Sequence, residues 1–195
     1  RPQEDVADDA PRAQQVRRLA SLVRTKEAVM ALIKAEAERR DPQHRKPLVV
    51  LLDGALGLWR LATKLFKPWK RVTFVLDIMH VVGYLWSAAN ALFGEASQTG
   101  KHWVQQKLTE ILRGRVGYVS GGLRQILTKQ LLRKSVRETL GKVITFFHNH
   151  RRWMKYDVYL AAGLPVGTGV VESACGSVVK HRMEGEGKRW SLAGA

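Results

Sequence analysis

Two short apolar runs, each ending in an aspartate, constrain this chain most. Leu48-Val49-Val50-Leu51-Leu52 leads directly into Asp53-Gly54, and Val72-Thr73-Phe74-Val75-Leu76 leads into Asp77. A continuous, branched apolar run of this length, bounded by Pro47 and Gly54, predicts a strand buried on both faces. Between the runs, Ala55 to Phe66 has helical spacing and is closed by Lys67-Pro68. Strand, helix and strand in so short a space predict a βαβ unit with parallel strands, and hence an α/β class. Both aspartates then stand at the carboxyl ends of strands, where α/β sheets gather their ligands and catalytic groups. Asp53 can equally serve as the cap of the helix that follows it.

The rest of the chain reads as helix-rich. Residues 1–11, with Asp5, Asp8, Asp9, Pro2 and Pro11, form a solvated lead-in. From Arg12 to Arg40, apolar residues recur at spacings of three and four, predicting an amphipathic helix with a break near Thr25 and an end at Asp41-Pro42. Val81–Phe93, Thr99–Arg113, Leu123–Leu132 and Val136–His150 each carry helical spacing, with Gly114, Gly117, Gly121 and Gly122 as punctuation. A softer stretch, 161–165, leads into Gly167-Thr168-Gly169 and a last helix, Val170–Met183, that carries Glu172. The division expected is a lead-in (1–11), a core of helix, strand, helix, strand and helix (12–92), a helical insertion (93–160) and a closing segment (161–195). Val72–Phe93 is apolar and long enough to span a bilayer, but Asp77 and His80 lie inside it, and charge deep in a membrane is costly. A buried strand followed by a core helix, with no membrane partner, is the reading taken.

Charge narrows the partner. The 195 residues contain 33 Lys plus Arg against 17 Asp plus Glu, a net charge of +16, which favours a polyanion: nucleic acid first, an anionic membrane surface second. The single cysteine, Cys175, excludes an intrachain disulfide or a four-thiolate zinc site and suits a reducing, cytoplasmic compartment.

Three constellations could carry chemistry, and two lesser features follow them. Asp53 and Asp77 are the strand-terminal acids. Asp77 and His80, three apart at a helix start, share a face and can touch each other, bind a metal or hold a loop. Gly167-Thr168-Gly169-Val170-Val171-Glu172 lacks the last glycine of a dinucleotide fingerprint and has no convincing strand before it, so it is read as a tight turn into a helix, with Glu172 in the first turn. An acid there also simply favours the helix dipole. Lys180, Arg182, Lys188 and Arg189 beside Trp190 make a basic run that can grip phosphates or merely face solvent. His148 and His150 are two apart and point away from each other on a helix, which disfavours a metal site; with Arg151, Arg152 and Trp153 they suggest a basic, aromatic surface for nucleic acid.

Taken in order, "LLDGALGLW", "VLDIMHVVGYLW" and "YLAAGLPVGTGVVESACGSVVKHRMEGEGKRWSLAGA" resemble the Mutator-like DDE transposases of bacterial insertion sequences, particularly the Kra group. The resemblance runs from Leu48 to Ala195 and is most specific in the closing segment. It implies a partial RNase H-like fold with a large helical insertion between Phe93 and Leu160. It also implies Asp53 and Glu172 as the second and third catalytic acids, and Asp77 and His80 as the accessory motif that follows the second. The activity implied is DNA strand cleavage and strand transfer with two Mg²⁺ ions. The implied partners are transposon ends and target DNA, in a homo-oligomer. The family's first acid and first three strands have no counterpart here, since Asp5, Asp8 and Asp9 follow no strand. The expectation is therefore a partial chain, inactive alone. The rival expectations are a non-enzymatic basic helical protein that binds nucleic acid, and another RNase H-like nuclease.

Overall fold

The computed structural model describes residues 15–17, 19 and 21–167. The chain divides into two units, of which Thr25–Thr168 holds every helix and strand described below. In order these are α1 (Lys26–Arg40), β1 (Leu48–Leu52), α2 (Leu56–Leu65), β2 (Val72–Leu76), α3 (Ile78–Phe93), α4 (Gln98–Leu112), α5 (Val116–Lys129), α6 (Lys134–His150), a 3-10 turn (Arg151–Trp153) and α7 (Tyr156–Ala161). The unit is helix-rich with one short parallel sheet, an α/β arrangement.

β1 and β2 pair in parallel from Leu48↔Val72 to Leu52↔Leu76. Side chains alternate across the sheet. Leu48, Val50 and Val72 face a small core of Met30, Ala62, Phe66 and Trp69, supplied by α1, α2 and the turn before β2. Val49, Leu51 and Val75 face the larger core built by Trp59 and the helices from α3 onward. Both faces are thus covered, as the apolar runs predict.

The two edges of the sheet differ. The Asp77 N–H donates to the Leu52 carbonyl and the Leu48 N–H to the Arg71 carbonyl, so in a parallel ladder Phe74 and Leu76 point their backbone groups away from β1. Two tyrosines of α7 meet them: the Tyr156 hydroxyl donates to the Leu76 carbonyl at 2.8 Å and the Tyr159 hydroxyl to the Phe74 carbonyl at 3.1 Å. Acceptors that would otherwise template another strand are thereby satisfied by side chains.

The helices depart from the sequence reading in two places. α1 starts at Lys26, at the break expected near Thr25, but with less of an apolar face than expected; the expected start at Arg12 lies outside the described residues. Thr25 is the N-cap of α1, its hydroxyl accepting from the Ala28 N–H, while the Ser21 hydroxyl takes the N–H groups of Val23 and Arg24 into a local turn. Leu32 and Ile33, counted toward an apolar face, are exposed; Met30 alone is buried on α1, and Glu36 pairs with Arg39 and Arg40 along it. The second departure is α5, which runs through Gly117, Gly121 and Gly122 instead of starting after them. A glycine inside a helix costs ~1 kcal/mol relative to alanine. Burial of Val116, Val119, Ser120 and Leu123, at successive turns of one face, offsets that cost. α7 falls just before the stretch read as soft and was not foreseen.

Candidate functional site

The end of β1 leaves Asp53 half-buried, and the local geometry decides between its two sequence readings. Ala55, not Asp53, is the N-cap of α2. The Asp53 carboxylate accepts from the Ala55 N–H at 3.0 Å through Oδ1, a turn that precedes the helix. Its main-chain carbonyl is held separately: the indole N–H of Trp59, one turn into α2, donates to it at 2.6 Å. Trp59 is 1% exposed and stacks on Trp153 with ring centroids 3.8 Å apart. Gly54 lies against Phe146 of α6, so close that a Cβ there would stand 2.4 Å from Phe146 Cε2. Strand, α2 and α6 together therefore fix the backbone that carries Asp53. Neither Trp59 nor Phe146 was singled out in the sequence. Nothing in the local pattern pointed to either.

Asp77 is 2% exposed and caps α3, with Oδ1 accepting from the Met79 N–H at 3.0 Å. His80, one turn later, brings Nδ1 to 3.8 Å from Asp77 Oδ2, with its ring about half exposed. The predicted shared face is therefore present. Tyr156 closes the inner side of this end of β2. Burial pushes its phenol well above the ordinary tyrosine range, and the Asp77 charge and Tyr159 add to the effect. Burial likewise raises Tyr159. The spacing Tyr156-x-x-Tyr159 was the available sequence signal for this pair, since residues three apart share a helix face.

Beyond α7 the chain returns to the same end of the sheet. The Ile78 N–H, at the first turn of α3, donates to the Val166 carbonyl at 2.9 Å. Gly167 packs on the same turn: a Cβ built on it would stand 3.2 Å from Ile78 Cγ2 and 4.0 Å from Asp77 Oδ1. The structure thus brings together Asp53, Asp77, His80 and the backbone at Val166–Gly167. Glu172, Lys180, Arg182, Lys188, Arg189 and Trp190 lie outside the described residues, as do Asp5, Asp8 and Asp9. Among the described residues no three His, Cys, Asp or Glu side chains converge as a metal site. No helix among them is long and apolar enough to cross a membrane.

The surface read from His148 to Trp153 is altered by the fold. Trp153 is 6% exposed and packed between Trp59 and His150, so it offers no platform for a base. His150 is 2% exposed, its Nδ1 2.7 Å from the Phe146 carbonyl. His148, Arg151 and Arg152 remain exposed.

Comparison with known proteins finds no match: no family model, no curated protein and no solved structure corresponds to this chain.

Proposed function

We propose that this chain carries part of the catalytic core of a Mutator-like DDE transposase of the Kra group, on a partial RNase H-like fold, acting in DNA strand cleavage and strand transfer. One observation supports the reading above the others. Asp53 and Asp77 follow register-paired strand ends, Leu52 and Leu76, and the segment that leads to Glu172 departs from that same end at Gly167. Glu172 stands five positions further along the sequence and lies outside the described residues.

In this reading Asp53 and Glu172 would hold divalent metal. Carboxylate oxygens suit Mg²⁺, and Asp53 keeps Oδ2 free of hydrogen bonds among the described residues. Two bound Mg²⁺ ions would supply activation of the attacking hydroxyl and stabilisation of the leaving oxygen at phosphorus. The residues around them orient. Trp59 and Phe146 fix the Asp53 backbone, and Asp77, committed to capping α3, sets the first turn that presents His80. With its ring half exposed, His80 is a contact for DNA or a support for the site, and not a metal ligand. The basic run from Lys180 to Trp190 would hold the phosphates of transposon ends and target. Homo-oligomeric assembly belongs to the same reading.

Iron-directed cleavage tests it. Fe²⁺ with ascorbate and peroxide cuts backbone near a bound divalent ion. Cuts are expected close to residue 53 and between residues 167 and 172, suppressed by excess Mg²⁺ or Mn²⁺ and lost in Asp53→Asn and in Glu172→Gln. Cuts elsewhere, or a pattern indifferent to both substitutions, would sink the reading. The alternative, a basic helical protein that binds nucleic acid without chemistry, would then stand on the net charge of +16.

A further inference from the structure

α6 places a basic strip on the surface at some remove in sequence from Asp53 and Glu172. Its buried side is Leu140, Val143, Ile144, Phe146, Phe147 and His150. The opposite, exposed side carries Lys134, Arg137, Lys142 and His148, with Glu138 as its one acid. Seventeen residues of helix make a strip about 25 Å long, which matches roughly seven phosphate steps of 3.4 Å along one DNA strand.

At its C-terminal end the strip opens into a cleft of about 740 Å³ between the start of α5 and the turn into α7. Arg151, Arg152, Lys155 and His148 line it, and Asp157 is its one acid. Packing holds these cations in place. The Arg152 guanidinium lies 4.0 Å from the centroid of the Trp153 ring, a cation–π contact. Arg151 lies over the first turn of α5, where a Cβ on Gly117 would come within 3.2 Å of its Nη2. That helix start has no side-chain cap, and Val116, which lines the cleft, is its first residue. Asp157 packs on the far wall, against Gly114, whose positive φ of 78° and absent Cβ leave room for its carboxylate. The neighbouring Arg113 and Arg115 are already paired with Glu110. Arg151, Arg152 and Lys155 have no acidic partner within ion-pair distance among the described residues.

We propose that this cleft and the exposed side of α6 form a second DNA-backbone site, with Arg151, Arg152 and Lys155 each neutralising a phosphate. The choice of DNA over other polyanions rests on the transposase reading; the site itself does not depend on Asp53 or Glu172. Phosphate contacts position a duplex without reading its sequence, and among the described residues no aromatic lines the cleft to stack a base. The site therefore holds DNA irrespective of sequence, while recognition of transposon ends falls to other residues.

The test is fluorescence anisotropy of the full chain with a labelled duplex of arbitrary sequence, in EDTA, from 0.05 to 0.3 M NaCl. Each phosphate contact adds about 0.9 to the slope of log affinity against log salt. Arg151→Gln/Arg152→Gln/Lys155→Gln is expected to lower that slope by about 2.7, which at 0.1 M salt is a loss of up to about 500-fold. Lys64→Gln/Lys67→Gln/Lys70→Gln removes the same charge from exposed positions elsewhere and is expected to change affinity less than tenfold. Arg151→Gln/Lys155→Gln, which leaves the Arg152–Trp153 contact intact, is expected to keep the parent melting temperature and lower the slope by about 1.8, two-thirds of the change in the triple variant. Equal losses from the two triple variants would overturn the proposal. So would binding to phosphatidylserine vesicles that matches the DNA affinity and falls equally in the cleft variant. Because EDTA removes divalent ions from this assay, and the iron-cleavage experiment uses no DNA, failure here is separable from failure of the metal-site reading.

Discussion

Gly54→Ala is the sharpest probe of how Asp53 is held. The position has no positive φ, so alanine meets no backbone penalty and the effect is steric. The added Cβ would stand 2.4 Å from Phe146 Cε2, 3.1 Å from Cζ and 3.5 Å from Cδ2. Carbon atoms in contact prefer about 3.5–4.0 Å, so the nearest pair overlaps by more than an ångström. Phe146 has little room to withdraw: it is 6% exposed, stacks on Tyr84 at 3.7 Å and lies 4.4 Å from the His150 ring. Overpacking of this kind costs about 1–3 kcal/mol. For a unit of this size, 2 kcal/mol lowers Tm by about 4–8 °C. Calorimetry or far-ultraviolet circular dichroism on heating reads it. Gly57→Ala is the internal reference, because inside α2 its Cβ meets only the flexible Lys26 Nζ at 3.2 Å; it should gain about 0.5–1 kcal/mol. A double-mutant cycle then isolates the contact. Phe146→Ala alone should cost about 3–5 kcal/mol, and the pair should be more stable than the sum of the two by about 1–2 kcal/mol. A Gly54→Ala variant as stable as the parent, or energies that add within about 0.5 kcal/mol, would refute the claim that α6 clamps the end of β1.

Two further predictions follow from the sheet and the helices. Tyr156 is protonated in the fold at pH values where it would ionise in the unfolded chain, its folded pKa being raised. Stability is therefore full below pH 10 and should fall above it by about 1.4 kcal/mol per pH unit for this residue. Tyr156→Phe should remove that slope and cost about 1–3 kcal/mol at neutral pH, since the buried Leu76 carbonyl loses its donor; an unchanged alkaline slope in urea titrations counts against the assignment. Gly121→Ala and Gly122→Ala add a Cβ with nothing within 4 Å, in the interior of α5. Each should stabilise by about 0.5–1 kcal/mol, visible as a higher Tm, and a loss would mean that those glycines face a partner.

Much of the fold was legible from local pattern. The runs Leu48–Leu52 and Val72–Leu76 specified their strands and the α/β class because a two-faced apolar run has few other uses. Proline and polar residues between them marked α2, and threefold and fourfold spacing marked α3, α4 and α6. The departures came from packing. On α1, Leu32 and Ile33 keep helical spacing but stay exposed, because the side of the helix around Met30 is the one that packs on α2. In α5 the glycines argued locally for a break, and burial of one helix face outweighed them.

The sequence alone determined which acids end the strands, the excess of positive charge, and the order of motifs on which the transposase proposal rests. Covalent order and side-chain type suffice for those. Only the tertiary structure decided that Asp53 makes a turn instead of a cap, that Trp59 and Phe146 fix it, and that two tyrosines from α7 seal the edge of β2. It also decided that the chain comes back to Asp77 at Gly167, and that Trp153 is core while Arg151, Arg152 and Lys155 are surface. The Asp53 turn and its Trp59 contact are local choices between competing backbone partners; the others depend on contacts between residues about 80–95 positions apart, or on which side of a helix another element covers. No local pattern encodes those, because the energy that selects them comes from burial against distant partners.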